Sequence, residues 1–153
     1  KKNNIKYEFY NYVVCQGSTL DLLFGLKLGM PQSQNVINAA MAVSIWMKPK
    51  NLYLAGLDHT FHLGIEIDDD NYLWDSGSHF YTDGVGHTRQ KLINITTHKK
   101  VTLKDLFSSL SKVHVAYENL GSFAERNNTN VWNSTRGGFV DAFKRRKLID
   151  INK

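Results

Sequence analysis

The segment Asn51-Leu52-Tyr53-Leu54-Ala55-Gly56-Leu57-Asp58 runs apolar almost without interruption and then stops abruptly in a carboxylate. A strand that faces solvent on one side alternates apolar with polar residues, whereas a strand covered on both faces does not. The run therefore predicts a covered strand over residues 52–57, with Asp58 and His59 at its carboxyl end. The residues before it sharpen the constraint. Between positions 33 and 47, Val36, Ala40, Val43 and Met47 recur at helical spacing, while Ile37, Met41 and Ile45 fill another face. A helix apolar nearly all round is expected to lie buried against a sheet, and Lys48-Pro49-Lys50 stops it. Helix, tight break and covered strand make half of a βαβ crossover.

A second unit of the same kind follows. Thr102 is placed to cap a helix, with Asp105 imitating a capping box. Leu103, Leu106, Leu110, Val113, Tyr117, Leu120 and Ala124 form one apolar stripe, read as core packing. A short strand over 129–132 then leads into the turn Asn133-Ser134-Thr135-Arg136-Gly137-Gly138. Two helix-then-strand units with a Gly-rich turn predict the α/β class, as a Rossmann-like three-layer domain with a mostly parallel sheet. Between the units, Leu63, Ile65 and Ile67 alternate, Asp68-Asp69-Asp70-Asn71 turns, and Tyr72-Leu73-Trp74 returns. That pattern predicts a β-hairpin insertion over 62–74. The acidic turn lacks the glycine and spaced carboxylates of a calcium loop and reads as solvated. Residues 75–89 read as a long irregular loop. A strand over 5–15 and a short helix over 19–26 are expected to be peripheral, so that residues 1–153 form a single domain.

Composition narrows the setting. The 153 residues include one cysteine, Cys15, which rules out an internal disulfide framework and suits a reducing, cytoplasmic compartment. The longest apolar stretch, residues 39–47, is under half of a bilayer span, so no transmembrane segment is expected. Net charge is +5, concentrated at Lys99-Lys100 and Lys144-Arg145-Arg146-Lys147. These runs carry no aromatic interleaving, which weighs against a nucleic-acid ligand.

Ligands of open α/β sheets sit beyond the carboxyl ends of the strands. Asp58 and His59 fall there, and a carboxylate leaving a covered strand is expected to face a cation, a hydroxyl-bearing ligand or backbone donors. In the second loop, the hydroxyls, backbone amides and Arg136 of residues 133–138 suit a phosphate or carboxylate. Ser33, Gln34 and Asn35 open a helix and supply a third anion contact. Three such contacts on one side of one sheet favour a phosphorylated ligand, although no P-loop is present. His59, His62, His79 and His87 follow no metal-ligand spacing, so no metal site is predicted. His79, between Ser78 and the aromatics Phe80 and Tyr81, is placed to exchange a proton with substrate.

With these residues in hand, the chain resembles the C-terminal half of the MptE-like family. The resemblance is carried by Ser33-Gln34-Asn35-Val36-Ile37-Asn38, by residues 51–59, by Ser78-His79-Phe80-Tyr81, and by Val131-Trp132-Asn133-Ser134-Thr135-Arg136-Gly137-Gly138. That family takes in archaeal 6-hydroxymethylpterin diphosphokinase, bacterial motility accessory factors and surface-polysaccharide proteins. More distantly, the helix–strand–Gly-x-Asp unit is similar to family-42 sialyltransferases. The resemblance implies a Rossmann-like transferase acting on a nucleotide-linked or diphosphate donor. Asp58 falls on the acid ending the family's central strand, and residues 33–35 fall near the donor-contacting helix start. The sialyltransferases carry their catalytic histidine three residues beyond the position of His79, where this chain has Thr82. His79 and His87 are therefore the candidate bases. Family members carry an upstream Gly-Asn-Gly-Pro-Ser-type loop that has no counterpart here, so the chain is expected to be a fragment of a larger fold.

The leading expectation is a glycosyltransferase-like enzyme using a nucleotide-activated sugar for surface polysaccharide. His79 or His87 would deprotonate the acceptor, Asp58 is the third catalytic candidate, and Ser33, Gln34, Asn35, His59, Asn133, Ser134, Thr135, Arg136 and Gly137 would contact the donor. A pyrophosphokinase of the pterin type, with Mg²⁺ held by Asp58, and a non-catalytic binding module are the alternatives. An unpaired sheet edge predicts self-association into a homo-oligomer.

Overall fold

A computed structural model describes residues 13–15, 19–32, 35–76 and 89–150 of the chain. In chain order the elements are β1 (Val14–Cys15), α1 (Leu20–Gly25), β2 (Met30–Pro31), α2 (Val36–Trp46), β3 (Asn51–Leu54), β4 (Ile65–Ile67), β5 (Leu73–Asp75), β6 (Gln90–Lys91), α3 (Leu103–Arg126), β7 (Asn130–Asn133) and β8 (Lys144–Arg145). Helices and sheets are mixed along the chain. β1 and β2 pair in parallel, β3-β7-β8 form a three-stranded sheet whose β7–β8 pair is parallel, and β4-β5-β6 form an antiparallel sheet. Two compact units result: residues 1–52 with 112–131, and residues 53–111 with 132–153.

The first unit is built on aromatic packing. Phe24 of α1 is buried, with its ring 5.0 Å from Trp46 and 4.3 Å from Phe123, the latter edge to face. The Trp46 indole N–H donates to the Phe24 carbonyl at 2.8 Å, so the half-buried indole leaves no donor unpaired. Met41, Ala42 and Ile45 of α2 and Ala116, Tyr117, Leu120 and Ala124 of α3 complete this core. Asn35 caps α2 by accepting from the Asn38 amide at 2.8 Å.

The expected burial of α2 holds for one face only. Asn38, Ala39, Met41, Ala42 and Ile45 are buried, whereas Val36 and Met47 are exposed at 79% and 75%. The apolar stripe of α3 is likewise core only from Val113 onward; Leu103 is exposed. Periodicity records that a face is apolar, and the tertiary surroundings decide how much of it is covered.

The covered-strand expectation is corrected in a similar way. β3 ends at Leu54, and Leu52, Tyr53 and Leu54 are half-buried rather than enclosed. The last bond of the pair runs from the Ser134 N–H to the Leu54 carbonyl at 2.7 Å, and beyond it Gly56 turns the chain with φ +73°. Leu57, past the strand, is the buried apolar residue of the run.

The hairpin forms as the alternation predicts, with Ile65 opposite Asp75, Glu66 opposite Trp74 and Ile67 opposite Leu73. Its acidic turn is a side-chain-built turn. Asp68 accepts from the Tyr72 and Asp70 amides at 2.7 and 3.1 Å and from the Trp74 indole at 2.7 Å. The Trp74 bond first, then the two amides, hold the Asp68 carboxyl below the usual carboxylate range. On the same sheet face Lys91 Nζ lies 3.4 Å from the Tyr72 ring centre and Arg89 lies 4.5 Å from that of Trp74. α3 begins with the predicted capping box: Asp105 N–H donates to Thr102 Oγ1 at 3.2 Å, and Thr102 N–H donates to Asp105 Oδ2 at 3.1 Å. Among the described residues no helix is long and apolar enough to cross a membrane.

Candidate functional site

In the second unit the loop after β7 and the loop after β3 are fastened together. Thr135 Oγ1 accepts from the Leu57 amide at 2.8 Å, and the Phe139 amide donates to the Asp58 carbonyl at 2.9 Å. Gly138, at φ +78°, lies so close that a Cβ there would stand 2.9 Å from the Asp58 carbonyl oxygen and 3.0 Å from that of Leu57. Only glycine fits both the backbone angle and the gap. The Gly-x-Asp strand end and the Asn-Ser-Thr-Arg-Gly-Gly turn, singled out separately in the sequence, are thus brought together in this unit.

The turn lines a cleft of about 940 Å³, with Asn133, Ser134, Thr135, Arg136 and Gly137 on one side and residues 145–150 on the other. Its walls carry Arg136, Arg145, Arg146 and Lys147 against one carboxylate, Asp150. These cations divide by use. Arg145 donates to the carbonyls of Thr135, Gly137, Gly138 and Val140 and so secures the turn. Arg146 donates to the Asp150 carbonyl at 3.1 Å and stands 5.4 Å from the Trp132 ring centre. The side chains of Arg136 and Lys147 are exposed and have no partner among the described residues. The Ser134 hydroxyl oxygen is buried and also unpartnered. Buried hydroxyls are nearly always hydrogen-bonded, so this one is an exception.

Asn133 is 1% exposed, and its amide is spent within the turn: Nδ2 donates to the Val140 carbonyl at 3.1 Å and Oδ1 accepts from the Thr135 amide at 3.0 Å. Asn133 and Thr135 therefore shape the turn, leaving Ser134, Arg136 and Gly137 for a ligand. Asp58 is exposed, and its carboxylate has no partner among the described residues. His59 follows in left-handed backbone at φ +50°, which is uncommon for a residue with a side chain.

His62 is not among the predicted site residues. Its Nδ1 lies 3.1 Å from the His59 carbonyl, and its ring stands edge to face with Phe139 at 4.5 Å. A carbonyl can only accept, so Nδ1 carries the proton in this contact. Asn35 belongs to the first unit, where its side chain caps α2 and donates to the Tyr117 hydroxyl at 3.3 Å. Ser33, Gln34, His79 and His87 lie outside the described residues. Among the described residues no group of three or more His, Cys, Asp or Glu side chains is arranged to hold a metal ion. Comparison of the chain with protein-family models, curated proteins and solved structures gives no match.

Proposed function

We propose that this chain is a Rossmann-like, glycosyltransferase-like transferase domain that binds a nucleotide-activated sugar, as its resemblance to the MptE-like family implies. The observation that supports the reading is the cleft beside the Asn133–Gly137 turn, with a buried, unpartnered Ser134 hydroxyl and two uncommitted cations, Arg136 and Lys147. Fixed hydroxyl and cationic donors suit a phosphate or diphosphate ester, and they stabilise the charge that develops as such a group departs. In this reading the acceptor hydroxyl loses its proton to His79 or His87 and attacks the sugar carbon. The bond from that carbon to the phosphate oxygen breaks, and the phosphate leaves with the electron pair toward Ser134 and Arg136. The exposed carboxylate of Asp58 favours one competing reading, a pyrophosphokinase that holds Mg²⁺ there against ATP phosphates.

A thermal-shift screen with CMP, UDP, GDP and ATP, each with and without Mg²⁺, tests both. Ligand at about 100 times its dissociation constant stabilises by about 2.7 kcal/mol. In a chain of this size that raises the melting temperature by about 5–10 °C. A shift with CMP or UDP that Ser134→Ala abolishes supports the transferase. A shift confined to ATP with Mg²⁺ that Asp58→Ala abolishes supports the kinase instead. A flat response to all four nucleotides would sink both.

A further inference from the structure

The cleft beside the Asn133–Gly137 turn opens where two parallel strands end. Trp132 and Asn133 of β7 pair with Lys144 and Arg145 of β8, so both chains leave the sheet side by side at their carboxyl ends. That is where open α/β sheets hold their ligands. Arg136 stands three residues beyond the last pair on one wall, and Lys147 two residues beyond it on the other. With Arg145 and Arg146 against Asp150, they give the lining a formal charge of +3. Ion pairs among the described residues lie elsewhere, at Arg89–Glu66 and Arg126–Asp21, and the hydrogen bonds of Arg145 and Arg146 go to carbonyls. A carbonyl is neutral and leaves the charge of its donor in place. Four cations gathered without a carboxylate partner repel one another, and a cleft lined by one sign of charge focuses its field on an anion.

Farther along the second wall, Leu148 and Ile149 are 51% and 78% exposed. Apolar side chains left open beside cations suit a ligand that is anionic at one end and carries a ring system at the other. The cleft, at about 940 Å³, is large for a lone phosphate and falls within the range of sites that enclose whole organic ligands.

We propose that the cleft takes a nucleoside diphosphate sugar in preference to a donor linked through a single phosphate. The assignment rests on the transferase reading above and names the class of donor. Cations on two walls match two phosphoryl groups, one toward Arg136 and one toward Lys147, with the nucleoside laid along Leu148 and Ile149. The bond from the sugar carbon to the terminal phosphate oxygen breaks, and the nucleoside diphosphate leaves with the electron pair. The acceptor oxygen forms the new bond to that carbon, and its proton goes to the base. The leaving group gains one negative charge in this step, and the cationic lining is placed to stabilise it.

Calorimetric titration of the full chain compares CMP with CDP, UMP with UDP and GMP with GDP at constant ionic strength, and inorganic pyrophosphate is a further probe. For the base that binds, the diphosphate should bind about tenfold tighter than its monophosphate, or more. Lys147→Gln and Arg136→Gln should each collapse that ratio while leaving the melting temperature of the free protein near wild type. Ile149→Ser should weaken the nucleotides and leave pyrophosphate unchanged. A monophosphate that binds as tightly as its diphosphate would overturn the proposal and leave the transferase reading standing. A diphosphate preference that survives both substitutions would overturn it as well. If pyrophosphate binds with the same dependence on Arg136 and Lys147 while no nucleotide does, the two-phosphate arrangement stands and the transferase reading falls. Silence from every probe would sink both.

Discussion

Asn38 and Asn133 are both buried, at 2% and 1% exposure, and they differ in one respect. Both polar atoms of the Asn133 side chain are hydrogen-bonded within the turn, whereas neither polar atom of the Asn38 side chain has a partner. Burying an unsatisfied amide costs about 1–3 kcal/mol on mutational scales. Leucine matches asparagine closely in shape and carries no polar atom. Asn38→Leu should therefore stabilise the chain by about 1–3 kcal/mol. Asn133→Leu orphans the Thr135 amide, while the Val140 carbonyl keeps its bond from Arg145 at 3.3 Å. One orphaned backbone donor makes that substitution destabilising by about 1–3 kcal/mol. At about 2–4 °C per kcal/mol for a chain of this length, the two variants should melt well apart on opposite sides of wild type. Thermal unfolding followed by circular dichroism, with urea midpoints as a check, measures both. If Asn38→Leu melts below wild type, the Asn38 amide is satisfied in solution and the reasoning is refuted.

Glycine positions give a second matched pair. Gly137 sits at φ +75° with open space around it, so Gly137→Ala should cost about 1–2 kcal/mol from the backbone angle alone. Gly138→Ala adds contact with the Leu57–Asp58 backbone and should cost about 1–3 kcal/mol more; equal urea midpoints for the two variants would contradict the close approach. Hydrogen bonding, led by the Trp74 indole, holds the Asp68 carboxyl below its usual range, so its folded pKa lies below its unfolded one. Such a group contributes stability above the unfolded pKa and loses it as pH falls through the folded pKa. Following the Trp74 indole N–H signal below the ordinary carboxylate range should show an acid transition that Asp68→Asn removes; an unchanged transition in the variant would show that another group is responsible.

Local chemistry was the readable part of this sequence. The capping box at Thr102 and Asp105, the hairpin around Asp68–Asn71 and the stop at Lys48-Pro49-Lys50 each depend on residues a few positions apart, and each formed where expected. What could not be read was which apolar face is covered. Val36, Met47 and Leu103 fit the pattern of core residues and are exposed. Pairings at long separation were equally silent: Lys91 meets Tyr72 through strand register, and Leu57 meets Thr135 across 78 positions. Within the candidate site, the Gly-Gly turn was legible as a turn. Its division into shaping residues, Asn133 and Thr135, and residues left open, Ser134 and Arg136, required the hydrogen-bond pattern. Arg145 read as part of a solvated basic run because nothing in a run of cations marks the one that folds back onto carbonyls.

The close passage of Gly138 against Leu57 and Asp58 bears on how this protein can drift. Surface loops ordinarily lengthen, shorten and change sequence with little penalty, since solvent makes room for them. Here no side chain separates the two backbones, so neither loop has anything to repack when the other changes. An insertion within residues 135–139 would have to be matched by a change near residues 57–58 within the same lineage. Tolerance for insertions should instead lie in the exposed turns at Asp69-Asp70-Asn71 and Ile95-Thr96-Thr97. Where related chains come to be aligned, the two fastened loops should keep constant length together while those turns vary freely.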